Sequence, residues 1–385
     1  MESTALAMSR FLSVDEEAVR SGRVTDVYFE RCAAVLEREG INPLVAMEVS
    51  ASSLSDGRAV FCGLADAVAL FEDRPVSCEA VPEGTFFSPF EPVLRLTGRY
   101  RDIAVHETAL LGFLCHASGI ATAAARICRA AGDRPVYSFG SRRQHPAIAP
   151  MVERAAWIGG VAGVSNAAAP EGIPLTGTMP HAYVMCFPRQ EDAWAAFARN
   201  APADVPRVML CDTWDDETDE AVRAAETGAE AVRLDTPASR RGDLRTLVEE
   251  VRWELDIRGH GDVEIILSGG LTEADVARMR DIVDGFGVGG AIAGAPVVDY
   301  SLDIVEIDGV PVSKRGKRSG AKEVALLPDG SHTILPRSAP VPAGACPLFE
   351  TYIDGGRIAK RPDTAAARQW VAEQQERESD KHFED

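Results

Sequence analysis

Lysine is scarce in this chain. Of the 40 basic side chains among 385 residues, only Lys314, Lys317, Lys322, Lys360 and Lys381 are lysines. Nothing before Lys314 could form a Schiff base at a strand end, which excludes an aldolase that works through that chemistry. Positive charge as a whole is also short. Against the 40 basic residues stand 59 acidic ones, for a formal net charge of −19. A field of that sign argues against nonspecific binding to nucleic acid or to an anionic membrane. Read with the lack of lysine, it suggests a halophile's high-salt cytoplasm, where screening weakens self-repulsion. Cysteine pairs are missing too: the eight cysteines are scattered without a C-x-x-C spacing. Reduced thiols in a reducing compartment are expected, and a zinc site is not. No uninterrupted apolar run approaches the roughly 20 residues of a membrane span. Met1–Arg10 lacks a basic patch followed by an apolar stretch, so no secretory signal is expected and the expected location is the cytoplasm.

The composition that is present is that of a folded protein, with 46% hydrophobic and 26% charged residues. The length suggests two or three domains at about 150 residues each. From Pro135 onward, short apolar strands alternate with helical stretches. The candidate strands are Pro135–Phe139, Val161–Val164, Ala182–Phe187, Arg207–Cys211, Ala231–Leu234, Val263–Leu267 and Phe286–Ile292. Alternation of this kind predicts a parallel sheet with crossover helices, and about seven strands point to an incomplete α/β barrel over residues 119–299. Residues 1–118 and 300–385 share a mixed texture and are expected to combine into one discontinuous α+β open-faced sandwich domain. A long helical stretch is expected from about Ile103 to Ala131, and the charged tail from Thr364 is expected to be a helix that frays.

Chemistry in a parallel barrel lies at the C-terminal ends of the strands. The first candidate strand ends at Phe139, followed by Arg142 and Arg143. The second leads to Ser165 and Asn166. Before the third lies His181, in a loop with Gly177 and Pro180. The fourth ends at Cys211 and Asp212. The fifth carries Arg233 and Asp235, with Arg240 and Arg241 beyond. The last two are followed by Ser268, Gly269 and Gly270, and by Gly287, Gly289 and Gly290. Glycines there let backbone N–H groups approach a phosphate. Arg142 and Arg143 suit carboxylates or phosphates, or else pair with surface acids. Asp235 suits ribose hydroxyls or Mg²⁺, or else caps a helix. His181 is a nucleophile or acid–base group, or a structural histidine. Lys314, Arg315, Lys317, Arg318 and Lys322 crowd into nine positions, as an anion-attracting loop or a solvated one.

Taken together, Thr25, Asp26 and Tyr28, the Phe139–Arg143 run, the Gly163–Asn166 run, the Gly177–His181 run, the Val232–Asp235 run and the two glycine turns occur in the order found in nicotinate phosphoribosyltransferases. The sequence resembles the archaeal branch of that family from about Thr25 to about Lys322. The resemblance implies a type II phosphoribosyltransferase joining nicotinate to 5-phosphoribosyl pyrophosphate (PRPP), the entry to NAD salvage. It implies ATP coupling through a phosphohistidine at His181, and Mg²⁺ accompanying ATP and PRPP. Phe139 would stack on the pyridine ring. Tyr28 would stack on its other face across a subunit interface, which demands a homodimer or larger assembly. Arg142, Arg143 and Arg233 would meet carboxylate, ribose or phosphate. Asp235 would hold the ribose, perhaps through Mg²⁺. Gly269, Gly270, Gly289 and Gly290 would cradle the 5-phosphate. Lys314 and Lys322 would help with pyrophosphate. Ser165, where nicotinamide-using relatives have an aspartate, favours the acid over the amide. The rival readings are a quinolinate phosphoribosyltransferase, which shares the fold and needs no ATP, and a catalytically silent nucleotide-sensing protein.

Overall fold

The computed structural model describes residues 11–237, 239 and 242–381. Met1–Arg10, Arg240 and Arg241 lie outside the described residues. The chain forms two compact units, Met1–Thr122 with Pro296–Asp385, and Ala123–Ala295.

The discontinuous unit is built on a seven-stranded antiparallel sheet. Its order is Val310–Pro311, Tyr300–Ile307, Leu44–Ala51, Pro92–Arg99, Val76–Ala80, Glu350–Asp354 and Arg357–Ile358. Tyr300–Ile307 pairs directly with Leu44–Ala51, so strands from both ends of the chain share one sheet. Val76–Ala80 alternates buried and half-buried positions, the period of a strand with one face on a core. Phe61, Leu64, Phe71, Leu94, Leu96, Leu110 and Leu114 fill that core. Leu110 and Leu114 come from helix Glu107–Ala131. This helix is long and apolar enough to cross a membrane by length and composition alone. It lies within the helical stretch expected over Ile103–Ala131, and its buried face makes it a core helix. The helix expected from Thr364 is present as Thr364–Lys381, and it is tied to the segment Gly84–Phe86. Gln374 Nε2 donates to the Gly84 carbonyl at 2.9 Å, Phe86 N–H donates to Gln374 Oε1 at 2.9 Å, and Trp370 Nε1 donates to Thr85 Oγ1 at 3.0 Å.

The second unit is an incomplete α/β barrel. Its parallel sheet has six strands, in the order Gly163–Val164, Val136–Ser138, Gly285–Val288, Glu264–Leu267, Ala231–Leu234 and Val208–Leu210. The first and last strands in sequence pair with each other, as barrel closure requires. The sheet instead opens between Gly163–Val164 and Val208–Leu210, which lie at its two edges. That is where Ala182–Phe187 was expected to be a strand. His181–Val184 is a helical turn instead, starting after Pro180, with Met185 N–H bonded to the His181 carbonyl at 2.9 Å. The apolar side chains explain the difference. Tyr183 and Phe187 sit four apart and meet with ring centroids 5.2 Å apart, and the Tyr183 hydroxyl donates to the Ala193 carbonyl of helix Gln190–Asn200 at 3.0 Å. That is helical spacing; in a strand the two rings would share a face but stand about 13 Å apart along it.

Between the remaining strands lie helices Glu217–Glu226, Leu244–Ile257 and Glu273–Met279, with Asp216, Asp243 and Thr272 as N-caps. Each cap side chain accepts a backbone N–H of the first turn, and Thr272 with Asp275 completes a capping box. These caps fix the helix starts just beyond the strand ends, where the candidate residues lie.

Candidate active site

At the C-terminal ends of the barrel strands, Phe139, Arg142, Arg143, Ser165, His181, Arg233, Asp235, Gly269, Gly270, Gly289 and Gly290 line one cavity of about 830 Å³. The aromatic–arginine element and both glycine turns, expected to act on one substrate, therefore face the same space. Tyr28, Lys314 and Lys322 belong to the other unit.

Phe139 follows strand Val136–Ser138, and its N–H is bonded to the Val288 carbonyl at 2.9 Å. Its ring lies where a side chain at Gly287 would point: a Cβ there would sit 2.3 Å from Phe139 Cε2. Gly140 is under similar constraint, since a Cβ would meet the Gly289 carbonyl oxygen at 2.4 Å. The two strand ends thus close on each other only because both positions lack a side chain. Gly269 and Gly270 have φ of +96° and +74°, the left-handed region that other residues avoid. A Cβ at Gly269 would also collide with the Asp235 carbonyl oxygen at 2.7 Å. Gly289 and Gly290 have more room; around Gly290 there is open space.

Arginine dominates the electrostatics of the cavity. Arg142 and Arg143 are exposed, and neither side chain has an ion pair or hydrogen-bond partner among the described residues. The alternative of pairing with surface acids is thus not what the structure shows. The Arg233 guanidinium lies 5.9 Å from the Phe139 ring centroid and donates from Nη2 to the Met179 carbonyl at 2.8 Å. Its Nε is buried without a partner. Burial pushes its pKa down, while Asp235 and Asp212 work to hold it up. Thr178 Oγ1 is also buried and unpartnered. Polar atoms of this kind are costly unless a ligand completes them.

The carboxylates are held in defined positions. Ser268 Oγ donates to Asp235 Oδ1 at 2.7 Å. Asp212, at the end of strand Val208–Leu210, was noted in the sequence only as a strand end and was given no role. Its side chain is 3% exposed, and Oδ1 lies 2.9 Å from His181 Nε2. Burial pushes the Asp212 carboxyl up, His181 pulls it down, and Asp235 pushes it up again. The helical turn that replaced the expected strand is what brings His181 to this carboxylate. Ser165 is exposed at the cavity rim, with its N–H bonded to the Ser138 carbonyl at 3.0 Å.

In the other unit, Tyr28 is 55% exposed on helix Val27–Arg38, and its hydroxyl donates to Asp26 Oδ2 at 3.4 Å. The three lysines of the basic loop are paired with acids of its own unit. Lys314 and Lys317 pair with Asp303, and Lys322 Nζ pairs with Glu48 at 2.9 Å. Among the described residues, no three His, Cys, Asp or Glu side chains gather as a metal cluster.

Domain models of one family match both units in turn: the N-terminal domain of quinolinate phosphoribosyl transferase over residues 26–118, and its C-terminal domain over residues 120–303. The chain belongs to the quinolinate phosphoribosyltransferase family. It is 35% identical over 315 residues to nicotinate phosphoribosyltransferase pncB1 of Mycobacterium tuberculosis, covering 75% of this chain and 69% of that protein. The crystal structure of nicotinate-nucleotide pyrophosphorylase from Pyrococcus furiosus superposes with a TM-score of 0.94 at 46% identity, covering 96% of this chain and 99% of that one. The crystal structure of human nicotinic acid phosphoribosyltransferase, at 20% identity, shares the fold with a TM-score of 0.77 over 92% of this chain and 94% of that one.

Membership of this family corrects the expected activity. ATP-coupled nicotinate phosphoribosyltransfer through a phosphohistidine conflicts with matches to both domains of the quinolinate enzyme, although relatives carry the nicotinate name. His181 instead has a carboxylate partner on Nε2.

Proposed function

We propose that the barrel cavity transfers a 5-phosphoribosyl group from PRPP to the ring nitrogen of a pyridine carboxylate, yielding nicotinate nucleotide and pyrophosphate without ATP. We further propose quinolinate as the acceptor: the bond to its second carboxyl breaks to release CO₂, and a proton from water takes its place on the ring carbon. The observation that carries this reading is the set of three guanidinium groups, Arg142, Arg143 and Arg233, in one cavity with two glycine turns, in a chain of net charge −19. A dicarboxylate with a phosphorylated, pyrophosphorylated sugar is the kind of load that needs them. The family's domain models support quinolinate. The name of the Pyrococcus furiosus neighbour supports the nucleotide and pyrophosphate.

In this reading, Phe139 stacks on the flat ring and Arg233 beside it binds a ring carboxylate, aligning the ring nitrogen with ribose C1, an entropic contribution to rate. Gly269, Gly270, Gly289 and Gly290 admit the 5-phosphate to backbone N–H groups. Arg142 and Arg143 bind carboxylate and departing pyrophosphate, stabilising charge as an oxocarbenium-like transition state develops. Asp235 holds the ribose hydroxyls. His181, oriented by Asp212, faces the leaving group. Mg²⁺ would arrive with the pyrophosphate and neutralise its charge. Such sites commonly use one or two carboxylates plus substrate oxygens, and Asp235 Oδ2 has no hydrogen-bond partner among the described residues. Lys314 and Lys322, each already paired with an acid, are left out. A second copy of the chain would bring Tyr28, as the resemblance implies.

The test is equilibrium binding. Calorimetry with quinolinate and with nicotinate should give at least a tenfold preference for the dicarboxylate, lost in the R142A/R143A double variant. Equal affinity for the two acids in the wild-type protein would contradict quinolinate as acceptor.

A further inference from the structure

Glu220 lies outside the substrate cavity yet is fully buried, on helix Glu217–Glu226 behind the end of strand Val208–Leu210. Burying a carboxylate is unfavourable unless hydrogen bonds replace its water. The Gln190 side-chain amide supplies one, 2.7 Å from Oε1, and the backbone donors all come from one place. Oε2 accepts the Thr213 N–H at 3.0 Å, and Oε1 accepts the Trp214 and Asp215 N–H groups at 2.7 Å each. These are the three consecutive amides that follow Asp212.

One helical turn earlier, Glu217 serves the other side of the same residue. The Thr236 hydroxyl donates to Glu217 Oε1 at 2.5 Å and lies 3.4 Å from Asp212 Oδ2. Two carboxylates three positions apart on one helix face therefore hold both the segment that leaves Asp212 and the threonine that flanks it. The helix itself does not need either one. Its own cap is Asp216, which accepts the Thr218 N–H.

We propose that Glu220 is a positioning residue for the His181–Asp212 pair. By collecting the amides of residues 213–215 it fixes the main chain beyond Asp212, so that Oδ1 stays 2.9 Å from His181 Nε2. Glu220 touches no substrate and acts through Asp212. Its effect on catalysis rests on the phosphoribosyl transfer proposed above. Its effect on geometry does not.

The test is E220Q, which keeps the size of the side chain but replaces one accepting oxygen with an NH₂ group that cannot accept an N–H. Amide exchange at Thr213, Trp214 and Asp215 should quicken at least tenfold, while amides of helix Leu244–Ile257 keep their wild-type rates. The ¹⁵N resonance of His181 Nε2, which reports its hydrogen bond, should move toward that of D212N. In the transferase assay, E220Q should lower kcat about tenfold in the wild-type background and less than twofold in D212N, because coupled residues are non-additive. Unchanged exchange at residues 213–215, or equal losses in both backgrounds, would overturn the proposal. If the wild-type protein has no transferase activity, the functional reading fails while the exchange and ¹⁵N measurements still decide the positioning role. Should E220Q not fold, E220D keeps the anion with a shorter reach. It should give the same changes at smaller size, and wild-type exchange in E220D would count against the role.

Discussion

Gly287 shows how little separates a stacking platform from a blocked one. Adding one methyl group there puts a carbon 2.3 Å from the Phe139 ring, so the ring or the strand must move. G287A should cost about 1–3 kcal/mol of stability through overpacking and lower transfer activity more steeply than stability. A melting curve beside an activity assay checks both. Alanine at Gly112, exposed on helix Glu107–Ala131 with open space around it, should lower neither and is the control. The sequence pointed to glycine at 269, 270, 289 and 290 because glycine pairs follow strands there. The need for Gly140 and Gly287 was not legible, because each answers to a backbone or ring from a distant part of the chain. Ser165 gives a second test. S165D places a carboxylate at the rim of a cavity proposed to hold a carboxylated ring, and like charges repel. Turnover of the pyridine acid should fall at least tenfold, measured as kcat/KM, and unchanged turnover would remove Ser165 from the site.

At the scale of elements, the alternation of strands and helices was read well and one strand was not. Helices Gln190–Asn200 and Glu217–Glu226 fall between the strands, as the alternation requires. Ala182–Phe187 misled because a short apolar run suits a strand or a helical turn equally, and a tertiary contact between Tyr183 and helix Gln190–Asn200 decided it. The tail helix was legible from Thr364, but its anchoring was not. Its sequence is highly charged, but Gln374 and Trp370 bond it to Gly84, Thr85 and Phe86. The core helix carries a pH dependence at its first residue. The Glu107 carboxyl is raised to about 7, mainly by burial, with Asp303 and Asp26 adding and Lys314 opposing. A carboxyl raised in the fold favours folding fully below its ordinary value of 4.5, and that contribution is lost as pH rises through about 7. E107Q should therefore melt higher than the wild type at pH 8 and nearly with it at pH 5. The difference is on the order of 1 kcal/mol once partial exposure is allowed for. A gap of the same size at both pH values would contradict this origin.

For the whole molecule, the alternation of strands and helices was enough to give an incomplete barrel, and the shared texture of the two termini was enough to give a discontinuous partner domain. Where the barrel opens was not readable, because strand order is a property of pairing and not of any one segment. The net charge of −19 has its own consequence. Self-repulsion at that charge should ease as salt is added, so the melting temperature should rise by several degrees between about 0.1 M and 2 M KCl. A steady fall would show that the arginine–acid pairs on the surface outweigh the repulsion. The acceptor and the ATP requirement lie beyond what motif order could decide, since quinolinate domain models and relatives named for nicotinate match the same chain. Mass spectrometry of the products of PRPP, Mg²⁺ and quinolinate, with ATP left out, tests the proposed reaction most directly. The expected result is nicotinate nucleotide, pyrophosphate and one CO₂ per turnover. Recovery of unreacted quinolinate, with or without ATP, would contradict it.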